Sequence, residues 1–333
     1  MRKYWTFKTK KMNLASMALL TASILTSSAS TKAEEQVPLI GKQQIQIPNG
    51  RLTPEALWSM GRIGGAQVSP YGTKIIYNVS YYSVEQNKSH RVLYVMNADG
   101  SEQTLLTKDS KNEGDAVWIK GGKKLAFLSA DDKGTSQIYE MNPDGTGRKQ
   151  LSYNEKDVEG FIFSPDEHQI VFIASIPFNH SIQPQETDLP KATGMVINDL
   201  MYKHWDEYVT SIPHPYVASF DNDRMGEGKD LLEGEPYESP MKPFGGIEQL
   251  AWSPDSKSIA YTCRKKVGKA YAFSTDSDIY LYDIITGVTK NLCKDYTDDK
   301  NMGYDINPSF SPDGRFIAWQ SMERDGYESD RNR

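Results

Sequence analysis

Cysteine is nearly absent: the 333 residues contain two, Cys263 and Cys293. Two cysteines cannot staple a chain of this length, so its stability has to come from a packed core, and free or buried thiols are expected. Long apolar runs are missing as well. The longest, Leu14–Leu25, falls short of the roughly 20 residues that span a bilayer.

Basic charge is scarce. Lys and Arg total 38 against 44 Asp and Glu, a net charge of −6. Six of those cations (Arg2, Lys3, Lys8, Lys10, Lys11, Lys32) lie in residues 1–33, which carry no acid, so the rest of the chain stands at −12. Such a body offers phosphates no basic face, which excludes a nucleic-acid partner.

Catalytic motifs are also wanting. Leu57-Trp-Ser-Met-Gly61 lacks the first glycine of a nucleophile elbow and lies on a predicted helix. There is no His-Glu-x-x-His and no Cys-x-x-Cys, and Gly145-Thr-Gly147 has Gln150 where a dinucleotide loop needs its third glycine. Asp221-Asn-Asp223 opens like a calcium loop, but Met225 and Leu232 stand at ligand positions, so it reads as a hairpin turn. No catalytic residue, cofactor or metal is therefore expected.

What is present begins with a leader. A basic stretch, Met1–Asn13, precedes the apolar run, and small residues follow at Ser27–Ser30 and Thr31-Lys-Ala33. This reads as a signal peptide over 1–33, cut after Ala29 or Ala33, and predicts a periplasmic or secreted protein with no membrane span after cleavage. No cysteine follows the apolar run to carry a lipid anchor. Thr53-Pro-Glu-Ala-Leu-Trp-Ser-Met60 then reads as a short helix capped by Thr53, within an extension over 34–63.

A repeat organises the remainder. Gln67-Val-Ser-Pro-Tyr-Gly, Phe163-Ser-Pro-Asp, Trp252-Ser-Pro-Asp and Phe310-Ser-Pro-Asp-Gly each precede an apolar strand, and Trp118-Ile-Lys-Gly-Gly is a degenerate copy. Ser opens a turn, Pro takes the position whose φ is near −65°, and Asp-Gly closes it. A second hairpin follows in Leu93-Tyr-Val-Met-Asn-Ala-Asp-Gly100, Ile138-Tyr-Glu-Met-Asn-Pro-Asp-Gly145 and Ile279-Tyr-Leu-Tyr-Asp283. Four-stranded units of about 40–45 residues imply an all-β fold, a β-propeller of TolB/WD40-like blades.

The turn positions 69, 119, 164, 253 and 311 and the tyrosines 94, 139 and 280 both leave room for one hidden unit between Ser164 and Ser253. The expected layout is about five and a half blades over 64–333, an incomplete ring. Its units are 64–108, 110–152, one from 155, a degenerate one ending near Glu233 with Tyr216–Asp221 as a strand, 245–293, and one from 303.

Residues 175–245 break the rhythm. Lys203-His-Trp-Asp-Glu207 sets an imidazole, an indole and two carboxylates side by side. Asp206 and Glu207 suit a substrate ammonium group, with His204 beside them and Trp205 adding a cation–π contact. The competing reading is a join between blades with Trp205 in the core. Glu85, in Tyr81-Tyr-Ser-Val-Glu-Gln-Asn-Lys88, is either a second such carboxylate or a solvated loop acid.

These segments resemble a known family. The Ser-Pro-Asp-Gly units are similar to the TolB-type repeats of the prolyl oligopeptidase family of serine peptidases. Leu57-Trp58, Gly61-Arg-Ile-Gly64, Tyr82-Ser-Val-Glu-Gln86, Tyr202–Glu207 and Glu233-Gly-Glu-Pro-Tyr-Glu-Ser-Pro-Met-Lys-Pro-Phe244 resemble the dipeptidyl-peptidase V / acylaminoacyl-peptidase branch, in a secreted bacterial form. The resemblance implies an N-terminal propeller that gates a C-terminal α/β-hydrolase domain releasing dipeptides from free N-termini. It implies a peptide substrate and the hydrolase domain as partners, and admits a homodimer of the full-length protein. By the same resemblance the hydrolase domain and its triad are expected to be absent from these 333 residues, leaving Glu85 and His204–Glu207 to bind the substrate N-terminus. The alternative is a non-enzymatic periplasmic TolB-like propeller that binds a protein partner.

Overall fold

The computed structural model describes residues 39–178, 182–184, 195–197, 209–293, 303–326 and 329–333. The expected helix spans Pro54–Ser59 (α1), with the Thr53 hydroxyl accepting the Ala56 amide at 3.2 Å. No helix among the described residues is long and apolar enough to cross a membrane.

The sheets follow one plan. The first blade contains β1 (Arg62–Val68), β2 (Lys74–Ser83), β3 (Lys88–Asn97) and β4 (Thr104–Leu105). The second contains β5 (Glu113–Ile119), β6 (Lys124–Ala130), β7 (Ser136–Met141) and β8 (Lys149–Gln150). In the third, β9 (Gly160–Phe163) and β10 (Gln169–Pro177) are followed by a separate short pair, β11 (Ile182–Pro184) with β12 (Met195–Ile197). The blade then resumes with β13 (Ser211–Asp221), β14 (Arg224–Met225) and β15 (Lys229–Asp230). The fourth contains β16 (Leu250–Trp252), β17 (Ser258–Cys263), helix α2 (Gly268–Phe273), β18 (Asp278–Asp283) and β19 (Thr289–Asn291). A two-stranded sheet, β20 (Tyr304–Phe310) with β21 (Ile317–Met322), comes last. All pairings within these sheets are antiparallel, as the hairpin turns require.

The Ser-Pro-Asp turn is a closed hydrogen-bond unit. Ser164 Oγ donates to Asp166 at 2.6 Å and accepts the Gln169 amide at 2.9 Å, while Ser164 N–H reaches the Gln169 carbonyl at 2.8 Å. Ser253 and Ser311 repeat this with Asp255 and Asp313. The serine hydroxyl lowers the pKa of all three aspartates.

Each blade packs against the one before it through a stacked ring pair on its second and third strands. Tyr77–Tyr94, Phe127–Tyr139, Phe172–Tyr216 and Tyr261–Tyr280 are direct cross-strand partners with centroids 5.3–5.9 Å apart. Phe127 packs on Ile76 and Leu93 of the first blade, Phe172 on Leu128 and Ile138 of the second, and Tyr261 on Val171 and Ile173 of the third. In the first blade, Ile40 from the segment ahead of α1 packs against the cluster that contains Tyr77. Between first strands, Trp118 Nε1 donates to the Gln67 carbonyl at 3.2 Å and Trp252 Nε1 to that of Ile162 at 3.1 Å.

The structure corrects the blade count. Among the described residues there are four sheets of four or more strands, the short β11–β12 pair and the final pair, not five and a half blades. The residues expected to form two blades, from 155 to Glu233, form one: β10 and β13 pair directly from Gln169↔Ser219 to Pro177↔Ser211. The hidden unit was a long connection between the second and third strands of a single blade, close to a blade in length, so both spacings were lengthened together. Tyr216 is the third blade's missing tyrosine marker, revealed by its pairing with Phe172.

Candidate functional site

The Ser-Pro turns of successive blades touch. Lys120 N–H is bonded to the Glu167 carboxylate at 2.8 and 2.9 Å, and Asp166 N–H to Ser256 Oγ at 3.2 Å. A Cβ at Gly122 would sit 3.0 Å from Pro70, and one at Gly314 3.7 Å from Pro254. These turns therefore share one face, and the connections from second to third strand share the other. That second face carries the turn 84–87, the loop 131–135, both ends of the long connection and α2.

Glu85 is exposed in the turn between β2 and β3, closed by the Asn87 amide on the Val84 carbonyl at 3.2 Å. His204, Trp205, Asp206 and Glu207 lie outside the described residues. The strands that bracket them, β10 and β13, leave from the same face as Glu85.

A cleft of about 510 Å³ opens on this face, at the base of the long connection. Its walls come from the loop 133–135, the inter-blade link 155–159, and Ser175, Pro177, Thr210 and Ser211. Glu155, Asp157 and Glu159 line it with Lys133 and Lys156. Asp157 accepts the Ser136 amide at 2.7 Å, and Glu159 accepts Ser175 Oγ and lies 3.8 Å from Lys242 Nζ. Sequence reasoning missed this cleft because its walls come from two blades and only the fold joins them.

Asp278, Cys293 and Asp305 form another cluster, with their ligating atoms mutually within 4.8 Å. The repeat explains it. Just past each fourth strand a small hydroxyl or thiol receives a third-strand amide: Leu93 N–H to Thr107 at 2.9 Å, Ile138 N–H to Ser152 at 2.8 Å, Ile279 N–H to Cys293 at 3.4 Å. Thr107 then donates to Glu113 at the start of the next blade at 2.6 Å, and Asp305 stands at the matching place for Cys293. We therefore assign this cluster to blade joining and place no metal there.

Cys263 and Cys293 are not joined in a disulfide. Burial first, and then the nearby Asp305 and Asp278 carboxylates, push the Cys293 thiol up to about 12. At pH 8 a thiol of that pKa is about one part in ten thousand thiolate. In the native chain Cys293 should alkylate with iodoacetamide at least about a hundredfold more slowly than after unfolding in urea. Equal rates, followed by peptide mass mapping, would contradict this environment.

The fold and its turns define a TolB-type β-propeller, and residues 58–200 match the family model described as the TolB beta propeller domain. By sequence the chain resembles part of the dipeptidyl-peptidase 5 proteins. It is 46% identical over 322 residues to dipeptidyl-peptidase 5 of Porphyromonas gingivalis, covering 97% of this chain and 45% of that protein. With dipeptidyl-peptidase 5 of Porphyromonas endodontalis it shares 45% identity over 279 residues, 84% of this chain and 40% of the other. The chain thus spans less than half the length of these relatives. Among solved structures, the acylaminoacyl peptidase of Pyrococcus horikoshii superposes with a TM-score of 0.54 at 14% identity, over 83% of this chain and 38% of that one, a likeness of fold.

Proposed function

We propose that this chain is the substrate-gating propeller of a secreted serine exopeptidase that releases dipeptides from peptide N-termini. The identity of 46% over 322 residues to a dipeptidyl-peptidase 5 carries this reading. Catalysis, by acyl transfer to a serine, belongs in this proposal to the part of the protein beyond these residues. The propeller's share is selection: Glu85 and the carboxylates of Asp206 and Glu207 hold the substrate ammonium group, aided by His204 and Trp205. Export to the periplasm or beyond is proposed from the leader over 1–33.

The test compares the purified 333-residue chain with the product of its reading frame continued past codon 333. Dipeptide release is expected only from the continued product, and only from peptides with a free N-terminus. In that protein Glu85→Gln should raise KM for free-amine substrates about tenfold at unchanged kcat. Dipeptide release by the 333-residue chain, or equal cleavage of N-acetylated peptides, would refute the proposal. An unchanged KM would remove Glu85 from it.

A further inference from the structure

Arg62 opens β1 at the end of the first blade that also carries Glu85. Its setting follows from its neighbours. Gly61 lies flat on the opposite side of the sheet, where a Cβ would come within 2.7 Å of the Tyr81 ring and 2.8 Å of Val79. Only glycine lets the chain enter β1 so closely. The next residue, Arg62, pairs with Ser80 and so stands on the same side of the sheet as Tyr82. Helix α1 delivers Trp58 there. The guanidinium carbon lies 5.0 Å from the Trp58 ring centroid and 4.5 Å from that of Tyr82, and the two rings meet edge to face at 5.5 Å. Gln43 holds this strand end by donating to the Tyr82 carbonyl at 3.0 Å.

The cation is thus oriented but not neutralised. Among the described residues Arg62 forms no ion pair and no side-chain hydrogen bond, and it is exposed. Elsewhere exposed arginines do find acids: Arg315 binds Asp313 at 2.6 Å and Arg324 binds Asp330 at 3.0 Å. Arg62 is contacted by aromatic rings instead. Cation–π contact with the two rings holds the guanidinium while leaving its N–H donors for an incoming group. The group that matches such a fork is a planar carboxylate, taken through two parallel N–H···O bonds.

We infer that Arg62, held between Trp58 and Tyr82, is a binding site for a peptide carboxylate. An acidic side chain and a free C-terminus present the same group. The site stands on this chain's own residues and does not depend on the peptidase reading.

The experiment uses the 333-residue chain and follows tryptophan fluorescence and titration heat with three probes. They are acetyl-Glu-Glu-amide, acetyl-Ala-Ala with a free C-terminus, and acetyl-Gln-Gln-amide. Saturable binding of either carboxylate probe, with none of the amide control, is expected, and the first two arms tell side chain from terminus. Arg62→Gln should weaken that binding at least about tenfold, and Arg62→Lys severalfold, because a point charge lacks the fork. Thermal melting of each variant at the wild-type temperature separates lost binding from lost fold. Equal binding of acidic and amide probes, full binding by Arg62→Gln, or equal binding by Arg62→Lys would overturn the assignment.

Discussion

Arg148→Met should destabilise the chain by about 3–5 kcal/mol, because it strands a charge where water cannot reach it. The Glu113 side chain is fully buried at the junction of the first two blades. One of its oxygens is paired with the Arg148 guanidinium and the other accepts Thr107 Oγ1 at 2.6 Å. Without arginine the carboxylate keeps one neutral donor and loses its counter-charge. The double variant Glu113→Leu with Arg148→Met should regain most of that loss, since an apolar pair of similar volume no longer has to desolvate two ions. Urea midpoints of the wild type, both single variants and the double variant test this. A single Arg148→Met costing under about 1 kcal/mol would place the pair among ordinary surface bridges.

Phe127→Ala carries the second large effect, also about 3–5 kcal/mol, from the cavity left at a site that cannot collapse. Phe127 is fully buried, stacks on Tyr139 at 5.9 Å and lies under the Arg148 guanidinium at 4.9 Å. It packs among Ile76, Leu93, Leu125 and Met141, which are fully buried and held by two sheets. Phe127→Leu keeps most of the volume and should cost under about 2 kcal/mol. Because Arg148 touches both Glu113 and Phe127, the losses of Arg148→Met and Phe127→Ala should add to less than their separate values. Strict additivity in urea unfolding would show that the two contacts are independent.

The turns were legible because their chemistry is local. Ser164, Pro165 and Asp166 close their own hydrogen bonds within six residues, so the motif reads the same wherever it occurs. The alternating strands were legible for a similar reason: Leu125-Ala-Phe-Leu128 can hardly be satisfied except between two packed faces. The blade count was less legible, because it depends on which strands pair. The connection between Pro177 and Ser211 is long enough to pass for a blade, and only the register of β10 on β13 shows that one sheet continues across it. Of the candidate site the sequence shows residue types but not their setting: Glu85 reads as an acid in an unusual turn, and in the fold it is exposed on the face where the long connection begins. Arg62 is legible only within Gly61-Arg-Ile-Gly64, a segment that carries the family resemblance, and its setting emerges only when Trp58 and Tyr82 are brought onto it.

By itself the amino-acid order determined the all-β class, the four-stranded unit, its turns and the kinship with peptidase propellers, because each rests on contacts between residues near in sequence or on similarity along the chain. Tertiary structure alone decided how many sheets those strands make, which thiol stands where other blades place a hydroxyl, and which charges end up buried, stacked or open to a ligand. Those outcomes depend on groups far apart in the chain meeting across blades, and periodicity cannot report the distance between them.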